Sequence, residues 1–269
     1  MLLEKRQRLE TRLCGLGSVV VAFSGGVDSA LILVVAHSVL GPKVVAVTAQ
    51  SESLPERELK AAKRLAREIG VEHLVIQTDE MSSFEYRENS TDRCYHCKSE
   101  LYTKLQAIAQ ERNFDHIVNG INTDDMGDHR PGILAANEAG VLSPLRDAGF
   151  SKEDIRSLSR ELGLAVWEKP AAACLSSRIP YNQPISQEKL SMVEKAEDFL
   201  LSIGFTQVRV RHHGDIARIE LLKEEMSEFF NGGHSYSTQK RFKELGFKYI
   251  TLDIEGFRSG SLNEVLQKD

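Results

Sequence analysis

The chain of 269 residues has only four cysteines, one tryptophan and seven prolines, and its 34 Lys and Arg are outnumbered by 39 Asp and Glu. Each scarcity excludes something. Four scattered thiols do not make a disulfide framework. A formal net charge of −5 leaves no overall basic field, so stable nucleic-acid binding is not expected. No apolar run approaches the ~18 residues of a membrane span, so no membrane partner is expected either. The opening MLLEKRQRLETRL sets leucines at helical spacing among charges and reads as an amphipathic helix rather than a signal peptide. A reducing, cytoplasmic setting is therefore expected, in which paired thiols serve metal binding or catalysis better than structural bridges. Cys14, inside that helix, reads as packing.

What is present is a regular alternation. SVVVAF (18–23), KVVAVTA (43–49), HLVIQT (73–78) and DHIVNG (115–120) are short apolar runs separated by helical stretches. SLPE (53–56) suggests a capping box with Ser53 and Glu56, and Leu59, Ala62, Ala66 and Ile69 line one helical face before Gly70. A further helix is expected from about Lys98 to Arg112, and SKED (151–154) caps another that ends near Leu162. Apolar strands alternating with helices predict an α/β fold with a parallel sheet covered on both faces, binding ligands beyond the carboxyl ends of its strands. From Ser186 the pattern changes. Helix, then LSIGF or KELGF, then strand, occurs twice, predicting a small C-terminal α+β module. The expected division is 1–170 and 171–269, with the boundary between about 170 and 186.

Ser24-Gly25-Gly26-Val27-Asp28-Ser29 joins the first strand to its helix. Two glycines let backbone N–H groups converge at a helix N-terminus, hydroxyls flank them, and phosphate binding follows; the plain alternative is a tight turn. No Gly-Lys-Ser/Thr follows, so this is not a Walker A loop. SGGVDS resembles the PP-loop of the ATP pyrophosphatases. The resemblance implies cleavage of ATP between its α- and β-phosphates, with Ser24, Gly25, Gly26 and Ser29 on the pyrophosphate and Asp28 orienting the loop or positioning Mg²⁺.

Cys94-Tyr95-His96-Cys97 falls where a helix begins, and its spacing allows both sulfurs to reach one metal ion. Metal or cluster binding, a redox disulfide and inert packing all remain open for it. Cys174 sits in KPAAACLSSRIP (169–180), a small-residue loop fenced by prolines. Three thiols suit a [4Fe–4S] cluster with one open iron, or one sulfur-donating cysteine with two helpers. RCYHCKSELY, GINTDDMGDHRPG, SPL, KPAAACLSSRIPY, RVRHH and ARIE, in that order, resemble the LarE family over nearly the whole chain. That family consists of ATP-dependent sulfur-insertion enzymes of nickel-pincer nucleotide biosynthesis. The resemblance implies adenylation and thiolation of pyridinium-3,5-dicarboxylic acid mononucleotide, with a sulfur source as second partner, and assembly into a homo-oligomer, a hexamer. Single-cysteine members give up the sulfur of the cysteine matching Cys174. Three-cysteine members resemble carriers of a [4Fe–4S] cluster on the equivalents of Cys94, Cys97 and Cys174, the type expected here.

Supporting residues carry two readings each. Asn122, Asp124 and Asp125 form either a polar turn or a nucleotide and Mg²⁺ contact; Ile121 stands where related thiolases often have histidine. Arg130 either grips a phosphate or caps the same loop. Arg209, Arg211 and His213 alternate on one strand face, a phosphate clamp or an ordinary charged surface. Arg178 either holds the substrate carboxylate or pairs within its loop. Glu220 is a divalent-metal ligand by resemblance or a surface carboxylate. Trp167 is core or a stacking platform. The rival functions are tRNA thiolation, amide formation and ATP sensing without catalysis.

Overall fold

The computed structural model describes residues 2–127, 131–170 and 172–266. It divides into two compact units, Met1–Glu80 with Asp92–Ala172, and Met81–Thr91 with Ala173–Asp269. The chain thus enters the second unit briefly at 81–91, a stretch that the strand–helix alternation alone places in the first.

The first unit runs α1 (Leu2–Cys14), β1 (Val19–Ala22), α2 (Val27–Leu40), β2 (Val44–Gln50), α3 (Glu56–Ile69) and β3 (Glu72–Gln77). After α4 (Phe84–Arg87), which belongs to the second unit, come α5 (Arg93–Glu111), β4 (His116–Val118), α6 (Pro131–Glu138), α7 (Pro144–Asp147) and α8 (Lys152–Glu161). All strand pairs are parallel, in the order β3-β2-β1-β4. Successive strand residues point to opposite faces. Val19, Val21, Val44 and Ala46 pack with α1, α2, α3 and α8, and Val20, Val45 and Val47 with α5 and α6. Both faces are therefore covered, as the apolar strands require. Cys14 is exposed at the end of α1, not packed as expected.

Two local expectations change. Pro55, not Ser53, caps α3, and Ser53 instead donates to Glu80 Oε1 at 2.9 Å. A buried carboxylate outcompetes the helix end for that hydroxyl. The CxxC helix starts at Arg93, a turn earlier than Lys98, so both thiols are helical. The SKED cap forms as expected, with Ser151 and Asp154 exchanging bonds at the start of α8.

The second unit contains α9 (Gln187–Ser202), β5 (Arg209–His213), β6 (Ile216–Glu220), α10 (Met226–Asn231), α11 (His234–Glu244) and β7 (Tyr249–Leu252). Its sheet is mixed, β5-β6 antiparallel and β6-β7 parallel. The two helix-Gly-Phe-strand stretches turn alike: Gly204 and Gly246 both have φ 109°. Phe205 N–H bonds Leu200 O, and Phe247 N–H bonds Phe242 O. Among the described residues, no helix is long and apolar enough to cross a membrane.

Candidate functional site

Strand order locates the site in the first unit. From β1 the chain moves outward through β2 and β3, then returns to place β4 on the other side of β1. Such a reversal opens a crevice at the carboxyl ends of the two central strands. The loops beginning at Phe23 and Asn119 both lie there.

The turn after β1 needs glycine. Gly25 has φ +72°, and a Cβ there would lie 2.9 Å from the Ala62 methyl and 3.0 Å from its Cα. From the facing loop, a Cβ on Gly120 would meet Ser29 N at 2.9 Å and Asp28 C at 3.0 Å. Two loops thus approach to backbone contact. Ser24 Oγ accepts from Gly26 N–H at 3.3 Å and lies 3.2 Å from Ser29 Oγ, which donates to Gly26 O at 3.1 Å. No side chain among the described residues caps α2, whose N-terminal residue follows Gly26. Convergent N–H groups and a helix dipole favour an anion there, so these residues fit a pyrophosphate. Gly25→Ala combines a left-handed conformation costing about 1–2 kcal/mol with that overlap on α3. We expect it to weaken ATP binding in calorimetric titration by tenfold or more; unchanged affinity would disprove the cradle.

Beside the turn, Asp28 Oδ1 accepts from Lys152 Nζ at 2.5 Å and from Asn122 Nδ2 at 3.2 Å. Asn122 is fully buried. Its N–H donates to Asp125 Oδ2 and its Oδ1 accepts from Asp124 N–H, both at 3.0 Å. Asp124 Oδ2 in turn accepts from Lys152 N–H at 2.8 Å. The predicted trio thus forms one bonded loop that carries Asn122 to Asp28. Ile121 packs against the core beneath α5 and α6. Arg130 lies outside the described residues. On the other side, Lys169 Nζ bonds Glu58 Oε2 at 2.6 Å and approaches Gly25 O at 3.5 Å. Sequence reasoning missed both lysines, because each meets its carboxylate more than a hundred residues away.

The thiols divide between the units. Exposed Cys94 and half-buried Cys97 share the first turn of α5 in the first unit; Cys174 belongs to the second. None is in a disulfide, and among the described residues no group of three or more His, Cys, Asp and Glu is preassembled for a metal. As a donor set, three reduced thiols still match a cluster's preference for sulfur. Tyr95, between the pair, donates its hydroxyl to Glu138 at 2.7 Å, which holds its pKa above the ordinary value.

Within the second unit, Cys174 heads a short 3₁₀ turn, Leu175–Arg178. Its carbonyl accepts from Ser177 N–H, Ser177 Oγ and Arg178 Nη1. The turn is clamped from below, since Ser176 Oγ lies 2.6 Å from the Tyr86 hydroxyl. Arg178 is 1% exposed and gives Nε and Nη2 to Glu197. The carboxylate-gripping reading of Arg178 is therefore replaced: every nitrogen serves the Cys174 loop or Glu197.

Arg211 is similarly occupied. It forks onto Glu220 at 2.9 and 2.8 Å and donates to Ser177 O and Ser261 Oγ. Glu220, fully buried, also accepts from Arg218. Neither is the open surface group that alternation suggested. Arg209 stacks over Phe257, 5.2 Å from its centroid. Nearby, the buried atoms His213 Nε2 and Arg218 Nε have no partner among the described residues. Burial, then Arg218 and Arg211, hold the His213 pKa below normal, so the imidazole is neutral near pH 7. The unsatisfied Arg218 Nε–H is a donor that an anionic ligand would complete. Arg218 was missed because a lone strand arginine carries no pattern.

The sequence has relatives among known proteins. Residues 18–107 match the family model for queuosine biosynthesis protein QueC, the part that holds the β1 turn. An uncharacterized protein of Synechocystis is 45% identical over the full length of both chains. The pyridinium-3,5-bisthiocarboxylic acid mononucleotide synthase of Lactiplantibacillus plantarum is 40% identical, covering 98% of this chain and 95% of its own. One subunit of the glutamine-hydrolyzing GMP synthase of Archaeoglobus fulgidus is 27% identical over 67% of this chain and 63% of its own. With its β1 glycine turn at the switch point and a synthase relative matched nearly end to end, the chain belongs to the LarE family of PP-loop ATP pyrophosphatases.

Proposed function

We propose that the protein is an ATP-dependent sulfurtransferase that adenylates a carboxylate of pyridinium-3,5-dicarboxylic acid mononucleotide and converts it to a thiocarboxylate. The observation that carries this reading is the pairing, in one chain, of a glycine-built pyrophosphate cradle with a thiol on a rigidly held loop. The cradle faces the leaving group. A substrate carboxylate oxygen attacks the α-phosphorus, the bond to the β-phosphate breaks, and the departing charge is met by loop N–H groups and the α2 dipole. Asp28, Asp124 and Asp125 are the carboxylates available to Mg²⁺, hard oxygen donors of the kind it prefers. Sulfur then attacks the activated carbonyl carbon and AMP departs. Arg209 and Arg218 are suited to the substrate's phosphate as cations, and Arg218 holds a buried N–H without a partner among the described residues, with His213 beside them.

The finer reading is that Cys94, Cys97 and Cys174 together ligate a [4Fe–4S] cluster. Such a cluster, when bound, supplies an open iron that presents an exogenous sulfide. In its absence the sulfur would come from Cys174 itself, leaving dehydroalanine. Three thiols, where one suffices for the sacrificial route, support the cluster.

The test is incubation with Mg²⁺, ATP and the dicarboxylate mononucleotide. Pyrophosphate release that depends on the mononucleotide is expected. Mass spectrometry of the protein afterwards separates the routes. Loss of one sulfur and two hydrogens at Cys174 means sacrifice, and an unchanged mass with thiocarboxylate formed means an external sulfur. Failure to release pyrophosphate would refute the function.

A further inference from the structure

Asp28 is one of the carboxylates named above for Mg²⁺, and its Oδ1 is already held by Lys152 at 2.5 Å and by Asn122 at 3.2 Å. The lysine is not on the turn. It is the first residue of α8, 124 positions further along the chain. Its backbone is pinned, because its N–H donates to Asp124 and the capping box of Ser151 and Asp154 fixes the helix start. Only the side chain is left to move. It is about a third exposed and borders a surface hollow bounded by Arg156, Arg160 and Trp167, so there is room for it to swing. A partly exposed pair of this kind holds its partner only weakly.

Resting on the ATP pyrophosphatase reading, we infer that Lys152 is a phosphate-binding residue stored on Asp28, and that it moves to a phosphate oxygen when a divalent cation takes the carboxylate. In the free protein the ammonium stands in for the metal, keeping Asp28 from repelling the incoming phosphates. On binding, two attractive contacts replace one: cation with carboxylate, and ammonium with phosphate. The exchange makes metal and nucleotide binding mutually favourable, since each releases the partner that the other needs. Lys169, held by Glu58 against Gly25 O, has a more enclosed setting and takes no part in this exchange.

The test uses the full chain with inorganic pyrophosphate in metal-free buffer, followed by calorimetry, and with Mn²⁺ alone, followed by electron paramagnetic resonance. Thermal melting checks that each variant is folded. For Lys152→Met we expect metal-free pyrophosphate affinity to fall roughly tenfold, the worth of one charge-assisted bond. We expect its Mn²⁺ affinity to rise severalfold as Asp28 is released. Lys152→Arg, which keeps the charge, should retain pyrophosphate affinity. The decisive comparison is made with Asp28→Asn as background. If Lys152 touches phosphate, Asp28→Asn/Lys152→Met binds pyrophosphate more weakly than Asp28→Asn. If the lysine only masks Asp28, the two bind equally and the inference is overturned. Unchanged Mn²⁺ affinity in Lys152→Met overturns the stand-in role. Wild-type protein that binds neither ATP nor pyrophosphate overturns the parent reading as well.

Discussion

Arg178→Met is expected to lose about 3–5 kcal/mol of folding stability in urea denaturation, the cost of leaving one member of a buried ion pair alone. Arg178 is 1% exposed and Glu197 fully buried. Their two bonds, 2.8 and 3.1 Å, form a fork. Glu197 Oε1 also accepts Val210 N–H at 3.1 Å, tying α9 to β5. Without the guanidinium, the carboxylate would stay buried and lose the cation that balances it. The carbonyls of Ala173 and Cys174 would lose their Nη1 donor too. Replacing both partners, as Arg178→Met/Glu197→Leu, removes the stranded charge and should recover most of the loss. Sulfur transfer should not recover with it, because the Cys174 loop keeps its missing contacts. A single variant that loses under about 1 kcal/mol would show that water reaches the pair.

Cys174→Ala should abolish thiocarboxylate formation, a fall on the order of 10³-fold or more, whether the thiol is the donated sulfur or a ligand of the cluster that presents it. Pyrophosphate release with the mononucleotide should persist, since the cradle is built from Ser24, Gly25, Gly26 and Ser29 in the first unit, and Cys174 belongs to the second. Product analysis and pyrophosphate detection in the same samples make the comparison. Equal loss of both activities would show that the thiol acts before sulfur transfer. Cys94→Ala adds the cluster question. Anaerobic reconstitution of the wild type should give a brown chromophore with about four irons per chain, and the variant should lose it. Zinc in place of iron would defeat the cluster.

The cradle and the cysteine loop differ in how plainly the sequence announced them. The β1 turn was legible as a motif, because its two glycines, hydroxyls and carboxylate lie within six positions at a strand–helix junction. Ala62 and Gly120, which press on it, come from distant parts of the chain. The four parallel strands were legible from their apolar β-branched runs. Their order was not, since no local pattern distinguishes β4 beside β1 from β4 beside β3. The Cys174 loop stood out as unusual, but its support was hidden: Glu197 lies 19 residues beyond Arg178, Tyr86 is 90 residues before Ser176, and only folding joins them. Arg211 and Glu220 read as two separate sites because alternation describes a strand's face without saying what covers it. The antiparallel pairing that aligns Arg211 with Arg218 and Arg209 with Glu220 brings them together. Ser53 was misread for the same reason, drawn to a glutamate 27 residues away.

The excursion at 81–91 has a consequence for biosynthesis. Asn89 Nδ2 donates to the carbonyls of Ile179, Pro180 and Gln183, and its own carbonyl accepts Asn182 N–H. Those acceptors are translated 90 to 94 residues after it. At ribosomal speeds of about 5–20 residues per second, the segment waits roughly 5–20 s as an unsatisfied loop while α5 to α8 are made. A fragment starting at residue 173 would lack it altogether, so the carboxyl-terminal piece has to be expressed with 81–91 supplied, by permutation or in trans.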